Sequence, residues 1–250
     1  MQPFLTLTRR ELGGYFLSLT GYIVLAAAIF LMGQSFVVLL MKLRQESTPM
    51  PVTEVFFVTP FFWLIFLLAV PVITMRLFAL EKFSGTFETL MTAPVSDLQV
   101  VMAKFTAAMI FFFIMWLPLL GCIFVVRYFT SDPATLDMGA VGTTFLGIIL
   151  LGGLFVSAGC CASAMTRSQG TAAMISLLFG GSLFMLGFLA DQVQTTVDWQ
   201  QQLLSCLSLF EQMHDFARGV VDTRPVVFFV SLTLFFLFLT LRIVESRRWK

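Results

Sequence analysis

Six long stretches of this 250-residue chain carry no charged side chain: Leu12–Met41, Val55–Met75, Phe105–Val126, Met138–Thr166, Ser168–Ala190 and Pro225–Leu241. An ionised side chain at mid-bilayer costs several kcal/mol, so runs of this length mark membrane spans. The longest holds 30 residues and the shortest 17, whereas the next run, Trp199–Phe210, holds only 12 and is too short to cross. At a rise of about 1.5 Å per residue, roughly 20 residues cross a hydrocarbon core about 30 Å thick. The runs are too long and too evenly apolar for barrel strands, and a backbone in lipid must satisfy its own hydrogen bonds, so all six are predicted helical.

Composition agrees. Hydrophobic residues make up 58% and charged residues 12%, against about 25% charged in a typical soluble domain. Fifteen Lys+Arg and fourteen Asp+Glu cannot clothe a globule of this size. That excludes a soluble enzyme and a disordered chain, and a net charge of +1 excludes nucleic acid as a partner. The expected fold is an all-α integral membrane protein forming one transmembrane domain over 1–250, with spans near 19–41, 55–75, 100–126, 139–165, 170–190 and 225–243.

Six spans put both termini on one side of the membrane. The segments on that side carry Arg9, Arg10, Arg76, Lys82, Lys104, Arg167, Arg242, Arg247, Arg248 and Lys250, while the other side carries Lys42, Arg44, Arg127, Arg218 and Arg224. The positive-inside rule therefore places both termini in the cytoplasm and the chain in the cytoplasmic (inner) membrane. The first charge-free run is longer than a signal-peptide core and no small-residue cleavage site closes it, so the N-terminus is not read as a removable signal. Leu5, Thr8, Leu12, Tyr15 and Leu19 recur at three- and four-residue intervals. Residues 1–18 are accordingly expected to form an amphipathic helix on the inner leaflet, bent at Gly13-Gly14. The alternative is a frayed tail merging into the span.

The spans carry no charged residue at mid-depth, which leaves proton-coupled carriers and ion pumps without their usual intramembrane acid, base or cation. Pro60 and Pro71 in the second span and Pro118 in the third favour kinks. Gly152, Gly153, Ser157, Gly159 and Ser163 in the fourth span, and Ser176, Gly180, Gly181 and Gly187 in the fifth, invite close helix contact. The 30 Phe residues serve packing in the first instance, though Phe62, Phe66, Ser176 and Phe179 are candidates for an apolar substrate pathway. The four cysteines form no C-x-x-C pair, His214 is the single histidine and no G-x-x-x-x-G-K-[ST] occurs. No catalytic residue, metal ligand set or nucleotide site is therefore expected.

Two loops carry information. Arg76–Lys104 is punctuated like folded structure: Ser84 and Thr86 cap a short helix, Phe87, Leu90 and Met91 form its apolar stripe, and Glu88 lies in its first turn. Pro94 ends it, and Ser96-Asp97-Leu98-Gln99 is a capping box opening the third span. Asp191–Arg224 is too long for a plain connector. Val193, Val197, Leu204 and Leu207 suggest one helix there. Ser208-Leu209-Phe210-Glu211 caps another, with Phe210, Met213, Phe216 and Val220 on one face and Gly219 as its stop. Asp222 or Thr223 then caps the last span, with Pro225 in its first turn. The pair is read as a re-entrant hairpin dipping into the outer leaflet over 191–224.

The pattern Glu81-Lys82-x-x-Gly85-Thr86-x-Glu88-x-Leu90-x-x-x-Pro94-Val95-Ser96 resembles the signature of ABC-2 type transporter permeases, the membrane subunits of ATP-binding-cassette exporters. Phe83 departs from it, since relatives often carry a polar residue there. The segments Phe216–Asp222 and Glu245–Trp249 resemble the gliding-motility-type subfamily, its F component, and nitrous-oxide-reductase maturation permeases are close look-alikes. The resemblance implies a type V exporter-like fold in which residues 77–97 form a coupling loop gripped by the ATPase. Phe87, Glu88, Leu90 and Met91 would make that contact, with Gly85, Thr86 and Pro94 shaping it and Glu81 and Lys82 flanking it; Arg9 and Arg10 assist the ATPase or bind anionic lipid. Phe210, Glu211, Phe216 and Arg218 would form an outer gate. The implied partners are ABC ATPase subunits holding ATP and Mg, a second permease protomer, an extracytoplasmic auxiliary subunit and membrane lipid, with no cofactor bound by this chain. The competing readings are an ATP-independent secondary carrier and a membrane scaffold for a surface or maturation complex.

Overall fold

A computed structural model describes residues 2–45, 53, 56, 57, 59–88, 95–129, 138–192 and 208–248. Among these residues the chain is helical and contains no strand: α1 Gln2–Phe16, α2 Leu19–Gln45, α3 Pro60–Thr74, α4 Ala79–Ser84, α5 Asp97–Phe129, α6 Met138–Met165, α7 Gln169–Gln192, α8 Leu209–Ala217 and α9 Thr223–Arg248. Among the described residues, six helices are long and apolar enough to cross a membrane: α2, α5, α6, α7, α9 and the stretch Pro60–Ser84 that contains α3. The chain is a multi-pass membrane protein. The end of the bundle that carries α1 and α4 is called proximal below, and the end that carries α8 is called distal.

Helix α6 is the axis, packed against α3, α5, α7, α8 and α9. Within its apolar window 78% of residues are buried, against 22% in α7 and in α9, which turn most of their surface outward. Glycine lets α6 come this close to its neighbours. A Cβ on Gly152 would lie 2.2 Å from the Phe112 ring of α5, and one on Gly159 would lie 2.3 Å from Thr74 Oγ1 of α3. Without a hydrophobic drive in lipid, such close approaches are where helices gain dispersion contact. Around α6, Phe62 and Phe66 of α3 and Phe112 and Trp116 of α5 interlock with ring centroids 5.2–6.1 Å apart.

Three local expectations need correction. Pro60 occupies the first position of α3, where its missing N–H has no helical partner to lose, so it opens the helix rather than kinking it. Pro71 and Pro118 do lie inside helices. Helix α1 runs unbroken through Gly13-Gly14, and the chain turns at Leu17-Ser18 instead. The glycine that this turn requires is Gly21, whose Cβ would fall 2.1 Å from the Tyr15 carbonyl oxygen. Of the expected α1 stripe, Thr8 and Tyr15 are buried, whereas Leu5 and Leu19 are exposed. The helix is held by Tyr15, whose hydroxyl donates to the Ile73 carbonyl at 2.9 Å and whose ring stacks on Phe111 at 4.8 Å.

Candidate functional site

The proximal end is built on the last turn of α6. Ser163 Oγ accepts from the backbone N–H of Phe78 and of Ala79, both at 3.1 Å, and donates to the Met75 carbonyl at 3.3 Å. Helix α4 has no cap of its own, because Phe78 precedes it, so a serine 84 residues away in sequence satisfies its first donors. Lys82 Nζ donates to the Ala164 carbonyl. Gly85 ends α4 with φ +76°, in the left-handed region that glycine enters freely. A new helical turn starts at Thr86, so Ser84 closes α4 instead of capping the turn beyond it.

This geometry sorts the residues of the turn. Phe87 is buried, with Lys82 Nζ 5.3 Å from its ring centroid. Ser84, Gly85, Thr86 and Glu88 are exposed, and Phe83 is 78% exposed. Leu90, Met91 and Pro94 lie outside the described residues. The chain re-enters at α5 through the expected capping box: Ser96 N–H donates to Gln99 Oε1 and Gln99 N–H donates to Ser96 Oγ, each at 3.3 Å.

Beside α4 lies a ring of four charges. Arg10 Nη2 is 2.9 Å from both Glu11 Oε1 and Glu81 Oε1, and Lys104 Nζ is 3.0 Å from the same two oxygens. Lys104 is only 2% exposed and also sits 5.4 Å from the Phe78 ring centroid. Burial pushes the Glu11 carboxyl up, but Lys104 and Arg10 more than reverse this, and it lies below the ordinary carboxylate range. Glu81 Oε2 is buried without a hydrogen-bond partner. The ring borders an open cleft of about 580 Å³ lined by Leu7, Arg76, Thr86 and Val95.

The distal end is organised differently. Ser208 Oγ accepts from Glu211 N–H at 3.3 Å, starting α8 as its capping box predicts. Gly219, at φ +85°, stops it: Val220 N–H donates to the Asp215 carbonyl at 3.0 Å and Gly219 N–H to Phe216 at 3.2 Å, the Schellman pattern. Val220 lies past this stop and is exposed, so it does not extend the apolar face of Met213 and Phe216, which are buried. Phe216 packs on Gly147 of α6, where an added Cβ would meet its ring at 3.0 Å, and its carbonyl accepts from Thr143 Oγ1 at 2.7 Å. Phe210 sits between Trp63 and Phe184, at 4.4 and 5.2 Å. Glu211 and Arg218 are exposed. Asp222 Oδ1 accepts from Arg224 N–H at 3.2 Å and caps α9. The first helix expected in this loop, with Val193, Val197, Leu204 and Leu207, lies outside the described residues. Of the pathway candidates, Phe62, Phe66 and Ser176 are buried in the bundle, and Phe179 is exposed with its ring against Phe236 at 5.3 Å.

Residues 41–244 match the family described as ABC-2 family transporter protein. The chain belongs to that family. Comparison with curated proteins returns no match. ABC-2 transporter proteins are membrane subunits without an ATPase site, associated with an ABC ATPase. In this ABC-2 chain the signature residues divide by direction: Thr86 and Glu88 face outward, while Glu81, Lys82 and Phe87 are engaged within the bundle. Sequence reasoning treats Phe83 only as a departure from the pattern and assigns no role to Glu11 or Lys104. An apolar residue in the middle of a water-side signature is the available signal for Phe83. Nothing local marks Glu11 and Lys104 as partners, since 93 residues separate them.

Proposed function

We propose that this chain is the permease subunit of an ATP-binding-cassette exporter, moving its substrate outward across the cytoplasmic membrane with ATP hydrolysed by a separate subunit. The proximal end faces the cytoplasm in this reading, on the positive-inside balance. The turn Phe83–Glu88, exposed except at Phe87, is the ATPase dock. The observation that carries it is Phe83: a large apolar ring, 78% exposed, at the tip of a short helix anchored to α6 through Ser163 and Lys82. A buried aromatic anchor is the usual centre of a stable protein interface. A tip held this firmly transmits displacement to the bundle, which a solvated loop would dissipate.

A second protomer completes the transporter. Gln34 is exposed on α2 within the apolar window, and its amide has no hydrogen-bond partner among the described residues. Facing hydrocarbon, that amide is costly; facing the same residue of a second copy, donor and acceptor are both satisfied. Helix α8 with Phe210, Glu211, Phe216 and Arg218 acts as the outer gate, closing the distal end until the ATPases draw together. On the resemblance of 216–222 and 245–249, the subfamily is the gliding-motility type.

The test is co-purification of an ABC ATPase co-expressed with the tagged permease. Phe83→Ala is expected to lower ATPase recovery at least tenfold, and Leu90→Asp with Met91→Asp to abolish it, with both variants inserted and folded. Full recovery of ATPase with both variants would sink the assignment of this turn.

A further inference from the structure

We propose that Glu11 and Lys104 are positioning residues for the ATPase dock, acting through Glu81. With Arg10 they form a closed ring that makes α1, α4 and the start of α5 move as one body. The inference rests on the reading of the Phe83–Glu88 turn as that dock, and it adds α1 to the parts that ATPase motion drives. Arg10 and Glu11 precede the residues that match the family.

The geometry leads there step by step. The ring alternates in sign, and each cation touches both carboxylates: Arg10 at 2.9 and 2.9 Å, Lys104 at 3.0 and 3.0 Å. Its members come from three elements: Arg10 and Glu11 from α1, Glu81 from α4 and Lys104 from α5. Pulling α1 away breaks the Lys104–Glu11 and Arg10–Glu81 contacts together. Pulling α4 away breaks both contacts of Glu81. Moving α5 alone removes both counterions from Lys104, which is 2% exposed. Pulling α4 or α5 away strands a charge, and pulling α1 away leaves Lys104 with Glu81 as its one remaining counterion; an uncompensated buried charge is among the costliest defects a fold can carry. Rigid motion of all three breaks none of these contacts and is the least costly path. The neighbouring contacts run the same way: the Phe78 ring at the start of α4 covers Lys104, and Tyr15 and Phe16 of α1 clasp Phe111 of α5 at 4.8 and 5.5 Å. A displacement applied at Phe83 thus reaches the third span by way of Glu81 and Lys104 as well as the chain itself.

The experiment uses the full-length permease in lipid nanodiscs, alone and with a co-expressed ABC ATPase. The variants are the near-isosteric Glu11→Gln and Lys104→Met, with Glu11→Asp and Lys104→Arg as charge-keeping controls. In the permease alone, amide exchange over residues 2–16 and 77–88 is expected to quicken at least tenfold in both segments for Glu11→Gln, with the spans unchanged. In the complex, ATPase recovery is expected to stay at the wild-type level while permease-stimulated turnover of MgATP falls at least fivefold. The charge-keeping controls recover most of that loss. Faster exchange confined to 2–16 overturns the proposal, as does unchanged turnover in an intact complex. Should the charge-removing variants fail to fold, turnover as low in Glu11→Asp and Lys104→Arg as in a complex lacking stimulation also overturns it. Failure of wild-type permease to bind any ATPase overturns the docking reading itself, and it is told apart because exchange in the permease alone reads the ring without an ATPase.

Discussion

The two ends of the bundle solve the same problem, holding a short helix against six long ones, by different means. Helix α4 at the proximal end is held by polar contacts around its base: the Ser163 hydroxyl, the Ala164 carbonyl and a ring of four charges. Its tip, Phe83, is left in the open. Helix α8 at the distal end is held mainly by shape, with Phe216 on Gly147, Phe210 between Trp63 and Phe184, and Met213 buried. Its last carbonyls accept hydrogen bonds from Thr143 and Thr53, each at 2.7 Å. Directional contacts fix orientation and resist slow separation. Apolar packing gives up roughly a quarter to a half of its dispersion energy over a gap of about 0.5–1 Å. The first arrangement suits a handle, and the second suits a lid.

The largest expected effect tests the distal end. Phe216→Ala removes a buried ring, and large-to-small changes of this kind cost about 3–5 kcal/mol in a packed core. We expect a lowered unfolding temperature of the permease in nanodiscs, with ATPase recovery in co-purification unchanged. Loss of ATPase binding in this variant would show that the ends are not separable. At the handle, Ser163→Ala leaves the first donors of α4 without their acceptor. A missing helix cap costs about 0.5–2 kcal/mol. Amide exchange at Phe78 and Ala79 should quicken accordingly, with α8 unaffected; equal quickening at both ends would erase the distinction. Phe83→Ala sits lower still on the stability scale, since an exposed side chain changes unfolding by about 0.5 kcal/mol or less. Its effect appears only in the ATPase assay.

How much can be read in advance depends on the range of the forces involved. Spans are legible because burying a charge in lipid is prohibitive, so composition alone marks them. Local caps are legible too: Ser96 with Gln99, Ser208 with Glu211, Gly219 and Asp222 all act within three residues or so. The small residues of α6 announce close packing, and Gly152 and Gly159 deliver it. Reading fails where a partner lies far along the chain. Phe87 has the look of the loop's apolar anchor, but Lys82 holds it inward from a site fixed by Ala164. Gly13-Gly14 has the look of a bend, yet Tyr15 bound to Ile73 keeps α1 straight past it and moves the turn to where Gly21 permits it. Periodicity has no means of pairing Glu11 with Lys104.

A change of pH separates the two ends as well. Glu11 ionises more readily in the folded protein than when unfolded, because Lys104 and Arg10 outweigh its burial. A carboxyl with a depressed folded-state pKa contributes stability that is present above its unfolded value and is lost as pH falls through the folded one. The advantage of wild type over Glu11→Gln in unfolding temperature should therefore hold steady from neutral pH down to about 4.5, the ordinary value for this carboxyl, and shrink below that. The deficit of Phe216→Ala at the distal end comes from the loss of an apolar ring and should keep its size over the same range. A Glu11→Gln deficit that persists unchanged into acid would mean that the glutamate contributes through its shape. The proximal end would then be held, like the distal one, by packing.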